Sequence, residues 1–145
     1  MFQHILLPTD GSRLSEKSVQ YGIQLAKGLN ARVTALHVTP GFYPLGYEIV
    51  ALEMPGDDFE NVSAARARKY LGIVRAAAAK AGVPCDVVHA VSDYPFKEII
   101  KTARRKKCDL ILMASHGWHG LAGVLLGSET QKVLTHSRVP VLVYR

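Results

Sequence analysis

Four glycines, Gly117, Gly120, Gly123 and Gly127, crowd into one short stretch of a chain otherwise rich in aliphatic side chains. They follow an apolar run over 110–113 and precede Ser128, where a helical pattern begins. A strand, a glycine-bearing loop and a Gly-Ser step into a helix together bring backbone amides to face an anion. Glycine lets the backbone approach without a Cβ, and a helix N-terminus offers unpaired N–H groups and a favourable dipole. The stretch 114–128 therefore reads as a phosphate site.

A second candidate group lies near the start. The apolar run 5–7 is ended by Pro8, and Thr9, Asp10, Gly11 and Ser12 follow as a turn with capping residues. Asp10 can accept from ribose hydroxyls, hold an adenine or a metal-bound water, or simply cap the next helix or brace the turn. Ser128 can offer a hydroxyl to a phosphate or serve as an N-cap. Trp118, between a glycine and a histidine, reads as a ligand-flanking or surface side chain. His116 and His119 stand three apart without a third ligand pattern nearby, so no metal site is expected. The other histidines and Glu98 and Glu129 form no triad or paired-carboxylate spacing, and no catalytic residue is assigned.

The elements that must position these residues alternate. A strand over 5–7 leads to a helix over 15–29, whose Val19, Ile23 and Ala26 form one apolar face closing near Gly28 or Asn30. A β-branched strand over 33–38 follows and ends at Thr39-Pro40-Gly41. Residues 41–62 mix Phe42, Tyr43 and Tyr47 with prolines and glycines, as a functional loop, a lid or a disordered segment does. A helix over 62–81 turns Leu71, Val74, Ala78 and Ala81 inward. Then come a strand over 86–91, a helix opening at Tyr94-Pro95, the strand 110–114, a helix over 128–135 with Val133 and Leu134 inward, and a strand over 141–143. Five strands alternating with four helices predict a single α/β domain over 1–145, with an open parallel sheet and helices on both faces. Ligands of such sheets bind beyond the carboxyl ends of the strands, where strand order reverses. With the first and fourth strands adjacent there, Pro8-Thr9-Asp10, Val38 and the glycine loop converge. Exposed backbone at Val38 could then read an adenine edge.

Composition narrows the classes. The apolar runs are far shorter than the roughly 20 residues of a membrane span, and Met1-Phe2-Gln3-His4 leads straight into a strand without a signal-peptide pattern. A cytoplasmic protein is expected, and Cys85 and Cys108 then read as small thiols rather than a disulfide. The formal charge of +6 favours anionic partners. The basic residues Arg66, Arg68, Lys69 and Arg75 read as a solvated helix face, and Arg104-Arg105-Lys106-Lys107 as a helix C-terminus. Neither group alternates with aromatics, so nucleic acid is not the expected partner. There is no G-x-x-x-x-G-K-[ST] and no G-x-G-x-x-G opening the first helix, which sets aside a P-loop and the usual dinucleotide site.

Across its whole length the sequence resembles the single-domain bacterial universal stress proteins. The resemblance rests on Ile5-Leu6-Leu7-Pro8-Thr9-Asp10-Gly11-Ser12, Leu36-His37-Val38, Asp109-Leu110-Ile111-Leu112-Met113 and Pro140-Val141-Leu142-Val143. Against the family's nucleotide-binding pattern G-x2-G-x9-G-[ST], Gly117 and Gly127-Ser128 match and Ala114 replaces the first glycine.

The resemblance implies an adenine-nucleotide alpha-hydrolase-like, Rossmann-like sheet of order 3-2-1-4-5, binding ATP with Mg²⁺. Pro8, Thr9, Asp10 and Val38 would hold the adenosine side. Ala114, Ser115, His116, Gly117, Trp118, His119 and Gly120 would line the phosphates, with Gly127, Ser128, Glu129 and Thr130 closing the far end. It also implies a homodimer through the last strand, whose apolar edge would otherwise be a liability. The function expected is a regulatory or protective ATP-binding module of the stress response with an unidentified protein partner. Two alternatives stand beside it: a slow ATPase or autophosphorylating protein with Ser128 as acceptor, and a family member that acts through protein contacts without nucleotide. The absence of a γ-phosphate lysine and of a water-positioning base disfavours efficient hydrolysis.

Overall fold

The structure is a computed structural model that describes residues 1–41, 56–118, 120 and 125–145. Its strands are β1 (His4–Pro8), β2 (Arg32–Thr39), β3 (Cys85–Val91), β4 (Leu110–Ala114) and β5 (Val141–Tyr144). The helices are α1 (Arg13–Leu29), α2 (Gly56–Ala81), α3 (Pro95–Arg105) and α4 (Ser128–His136). All strand pairs are parallel, in the order β3-β2-β1-β4-β5, as the resemblance implied.

Alternation along the strands sorts two apolar layers. Ile5, Leu7, Val33, Ala35 and Leu112 join Val19 and Ile23 of α1 and Leu71, Val74 and Ala78 of α2. On the opposite face Leu6, Leu36, Ile111 and Met113 meet Ile99 and Ala103 of α3 and Val133 of α4. One expectation fails here: Leu134 is exposed rather than inward. Adjacent helical residues are about 100° apart, so Val133, three residues after buried Thr130, faces the sheet and Leu134 turns away.

Local signals explain the element ends. Ser12 caps α1, its hydroxyl accepting from Ser15 N at 3.3 Å, and Asn30 closes it in the left-handed conformation with φ 54°. Thus Asp10 is not the helix cap. Residues 56–61, read from sequence as part of a loop, are the first turns of α2. The aromatics Phe42, Tyr43 and Tyr47 lie outside the described residues, as does Gly123. Cys85 and Cys108 are free thiols, and burial pushes Cys108 up to about 11. Among the described residues no helix is long and apolar enough to cross a membrane.

Candidate functional site

Because β1 and β4 are neighbours while their following helices cover opposite faces, the loops beyond them part and leave a crevice. A cavity of about 700 Å³ occupies it. Its wall contains Pro8, Thr9 and Asp10 from the end of β1, and Val38 from β2. Ala114, His116, Gly117, Trp118 and Gly120 come from the β4 side, and Gly127, Ser128, Glu129 and Thr130 from the start of α4. Of the expected residues that the structure describes, only Ser115 is not in that wall. His119 lies outside the described residues. Ser115 is buried beneath the loop: its N–H donates to Tyr144 O at 2.8 Å, and its carbonyl accepts from Gly127 N at 2.6 Å. Those bonds fasten the loop to β5 on one side and to the α4 entrance on the other.

Gly127, not Ser128, is the N-cap of α4, and it brings no capping side chain. The first-turn amides therefore have no intrahelical acceptor and no side-chain cap, while the dipole adds partial positive charge beside the cavity. Ser128 is exposed at the first helical position. Thr130 is buried and donates its hydroxyl to Ala114 O at 3.0 Å, tying the helix to the strand end. Glu129 is committed elsewhere: its Oε2 accepts from Phe96 N at 2.9 Å and its Oε1 from Lys132 Nζ at 3.0 Å. That carboxylate links α4 to the start of α3.

Position 114 is the last residue of β4, opposite Tyr144 in β5. Among described non-glycine residues only Asn30 and Lys107 have positive φ. Alanine therefore sits at 114 without the strain that a left-handed position would impose. Gly120 has a steric reason instead, since a Cβ there would overlap the His116 ring.

The turn after β1 is braced from three directions. Thr9 is buried, its N–H donating to Leu36 O at 2.8 Å, and its hydroxyl accepts from Ser15 Oγ at 3.0 Å. Asp10 Oδ1 accepts from Ser12 N at 2.9 Å and Oδ2 from Trp118 N at 3.2 Å.

Sequence reasoning missed His37, Tyr70 and Arg66, all of which line the cavity. His37 is buried, which lowers its pKa despite the opposing pull of Thr9 and Asp10; the Arg66 charge lowers it further. Its Nδ1 lies 2.8 Å from Thr9 O, and since a carbonyl only accepts, Nδ1 carries the proton. The Tyr70 ring packs edge-on against it at 5.2 Å. Arg66, expected on a solvated face, borders the cavity. Among the described residues no group of three or more His, Cys, Asp or Glu could hold a metal ion.

Comparison with known proteins places this geometry. The sequence model described as "Universal stress protein family" matches residues 1–145. The chain is 31% identical over its full length to universal stress protein YxiE of Bacillus subtilis, and covers all of that protein. It is 30% identical to universal stress protein MJ0531 of Methanocaldococcus jannaschii, again over the full chain and 83% of the relative. Among solved structures, protein MJ0577 superposes with a TM-score of 0.83 at 29% identity, over 99% of this chain and 96% of that one. A universal stress protein solved in complex with cAMP shares the fold at TM-score 0.75 and 22% identity, covering 99% of this chain and 97% of its own. Another, from Archaeoglobus fulgidus in complex with dAMP, does so at 0.66 and 16%, covering 100% and 98%. With the five-stranded order and a full-length match in hand, this chain belongs to the universal stress protein family.

Proposed function

We propose that the cavity binds an adenine nucleotide, ATP with its Mg²⁺, and that occupancy sets the conformation or partner choice of a cytoplasmic, single-domain regulatory protein. One observation carries this reading. The uncapped N-terminus of α4, entered through Gly127, faces across one cavity to the Pro8-Thr9-Asp10 turn. Amides at one end suit phosphate, and a carboxylate with a strand end at the other suits a nucleoside. In this reading Pro8, Thr9, Asp10 and Val38 take the adenosine side, and Gly117, Gly120, Gly127 and the amides of Ser128, Glu129 and Thr130 take the phosphates. Two relatives of the same fold were solved with cAMP and dAMP, which share the adenine and one phosphate. The described residues do not fit a protein-held Mg²⁺: among them no group of three or more His, Cys, Asp or Glu comes together to hold an ion, and Glu129 points its carboxylate at Phe96 and Lys132. The ion would travel on the phosphates.

Thermal unfolding with and without ATP-Mg²⁺ tests the proposal. A ligand specific to the native state, at a hundredfold its Kd, adds about 2.7 kcal/mol. For a chain this long that raises Tm by roughly 5–10 °C. Unchanged melting at saturating ATP would sink it.

A further inference from the structure

We infer that Trp118 is a latch across the nucleotide cavity, and that a ligand must displace it from Asp10 to enter. The inference rests on the nucleotide reading above. Trp118 is the chain's single tryptophan and belongs to the loop after β4; Asp10 belongs to the turn after β1. Both border the same cavity, from opposite sides of the crevice. Two hydrogen bonds close the distance between them. The indole Nε1–H donates to Asp10 O at 2.6 Å, and the Trp118 backbone N–H donates to Asp10 Oδ2 at 3.2 Å.

The arrangement has the marks of a contact made to open. The Trp118 side chain is not packed into either apolar layer, and the residue remains 59% exposed. Its hold on the β1 turn is thus polar and at the surface, the low-stability end of a folded structure. It sits inside a turn closed by Gly120 N donating to Gly117 O at 3.1 Å, with a glycine at each end. Gly117 allows the approach, because a Cβ there would overlap the Asp10 carboxylate. The second carboxylate oxygen, Oδ1, accepts from Ser12 N. A ribose hydroxyl or base N–H that seeks Asp10 therefore competes with Trp118. When the competent state is only a fraction of the population, apparent affinity falls by that fraction.

The test uses the lone indole as reporter and a variant that keeps an aromatic ring while removing the indole N–H. In the wild type, titration with ATP-Mg²⁺ should shift the Trp118 emission saturably, following the occupancy measured by calorimetry. Trp118→Phe, which loses the bond to Asp10 O, should bind an ATP labelled with a fluorophore on its γ-phosphate faster. A hydrogen bond of ordinary net worth predicts about a two- to tenfold gain in association rate and apparent affinity. If ATP binds the wild type but leaves the emission unchanged and Trp118→Phe binds at the wild-type rate, the latch is wrong and the nucleotide reading stands. Weaker binding by Trp118→Phe, driven by faster dissociation, would make Trp118 a wall of the bound ligand and overturn the latch equally. If calorimetry detects no ATP binding by either protein, both ideas fall together.

Discussion

Gly117 lies so close to Asp10 that a Cβ on the glycine would overlap the Asp10 carboxylate. The two residues follow different strands, and their contact draws the β1 turn and the β4 loop together at the sheet's reversal point. Gly127 is less tightly held. A Cβ there would stand 3.2 Å from His116 Cα and 3.3 Å from Ser115 O, with a backbone at φ −68° that alanine adopts readily. The two substitutions should therefore differ. Gly117→Ala must push the carboxylate aside and is expected to weaken ATP binding at least about tenfold, as displaced positioning groups do. Gly127→Ala needs only a few tenths of an ångström of adjustment at the α4 entrance and should cost less. Calorimetric titration of both variants checks the order; the reverse order would refute the steric account.

Ala114 gives the opposite expectation. Its position is extended and paired with Tyr144, so restoring the glycine of the family pattern relieves no backbone strain. Ala114→Gly should leave ATP affinity within about twofold of wild type. It should also lower stability by roughly 0.5–1 kcal/mol, because glycine loses more backbone freedom in a strand. Urea unfolding and nucleotide titration of the same sample measure both. A large gain in affinity would mean that the methyl group, which borders the cavity, obstructs the ligand.

Much of this architecture was legible because β-branched runs, helix periodicity and turn residues agree locally. Val33 to the end of β2, the Val19–Ile23–Ala26 face and the Gly-Ser step before α4 each repeat one message. What stayed hidden depends on neighbours distant in sequence. His37 reads as an ordinary strand residue until β1 pairs beside it and Thr9 supplies a carbonyl. Arg66 and Tyr70 look like one solvated and one half-apolar position on a long helix; only the placement of α2 over the strand ends turns them toward the cavity. Ser115 failed the other way. Its spacing puts it in the loop motif, but its backbone is spent on Tyr144 and Gly127.

A buried histidine at the opposite end of the sheet gives the protein a pH dependence. His4 is buried; burial and the Arg32 charge lower its pKa, outweighing the backbone of Lys106 and the carboxylates of Asp86 and Asp109. One ring nitrogen, Nε2, lies 2.8 Å from Thr34 Oγ1. As pH falls through the unfolded value of about 6.5, the unfolded chain takes up a proton that native His4 refuses. The stability contributed by neutral His4 is complete above that pH and declines below it, until the lower native value is reached. His37 is lowered in the same direction. Urea unfolding between pH 7.5 and 5 should therefore show falling stability, and His4→Leu should flatten part of the slope. An equal slope in the variant would remove His4 as a cause.

The free edge of β5 yields the last prediction. Among the described residues β5 (Val141–Tyr144) pairs only with β4, so its other edge presents open backbone groups there. The Pro140 carbonyl accepts from Ile111 N at 2.9 Å and the Tyr144 carbonyl from Ser115 N at 2.8 Å, so those residues face inward. By alternation, Val141 and Val143 turn their N–H and C=O groups outward. If two copies pair through this edge, as the homodimer implied by the family resemblance requires, Val143→Pro removes an outward donor without touching the bonds to β4. Sedimentation should then find monomer where the wild type is dimeric, with intramolecular packing and ATP binding preserved. A wild type that is monomeric at all accessible concentrations would discard the dimer. A variant that remains dimeric would move the interface to another face.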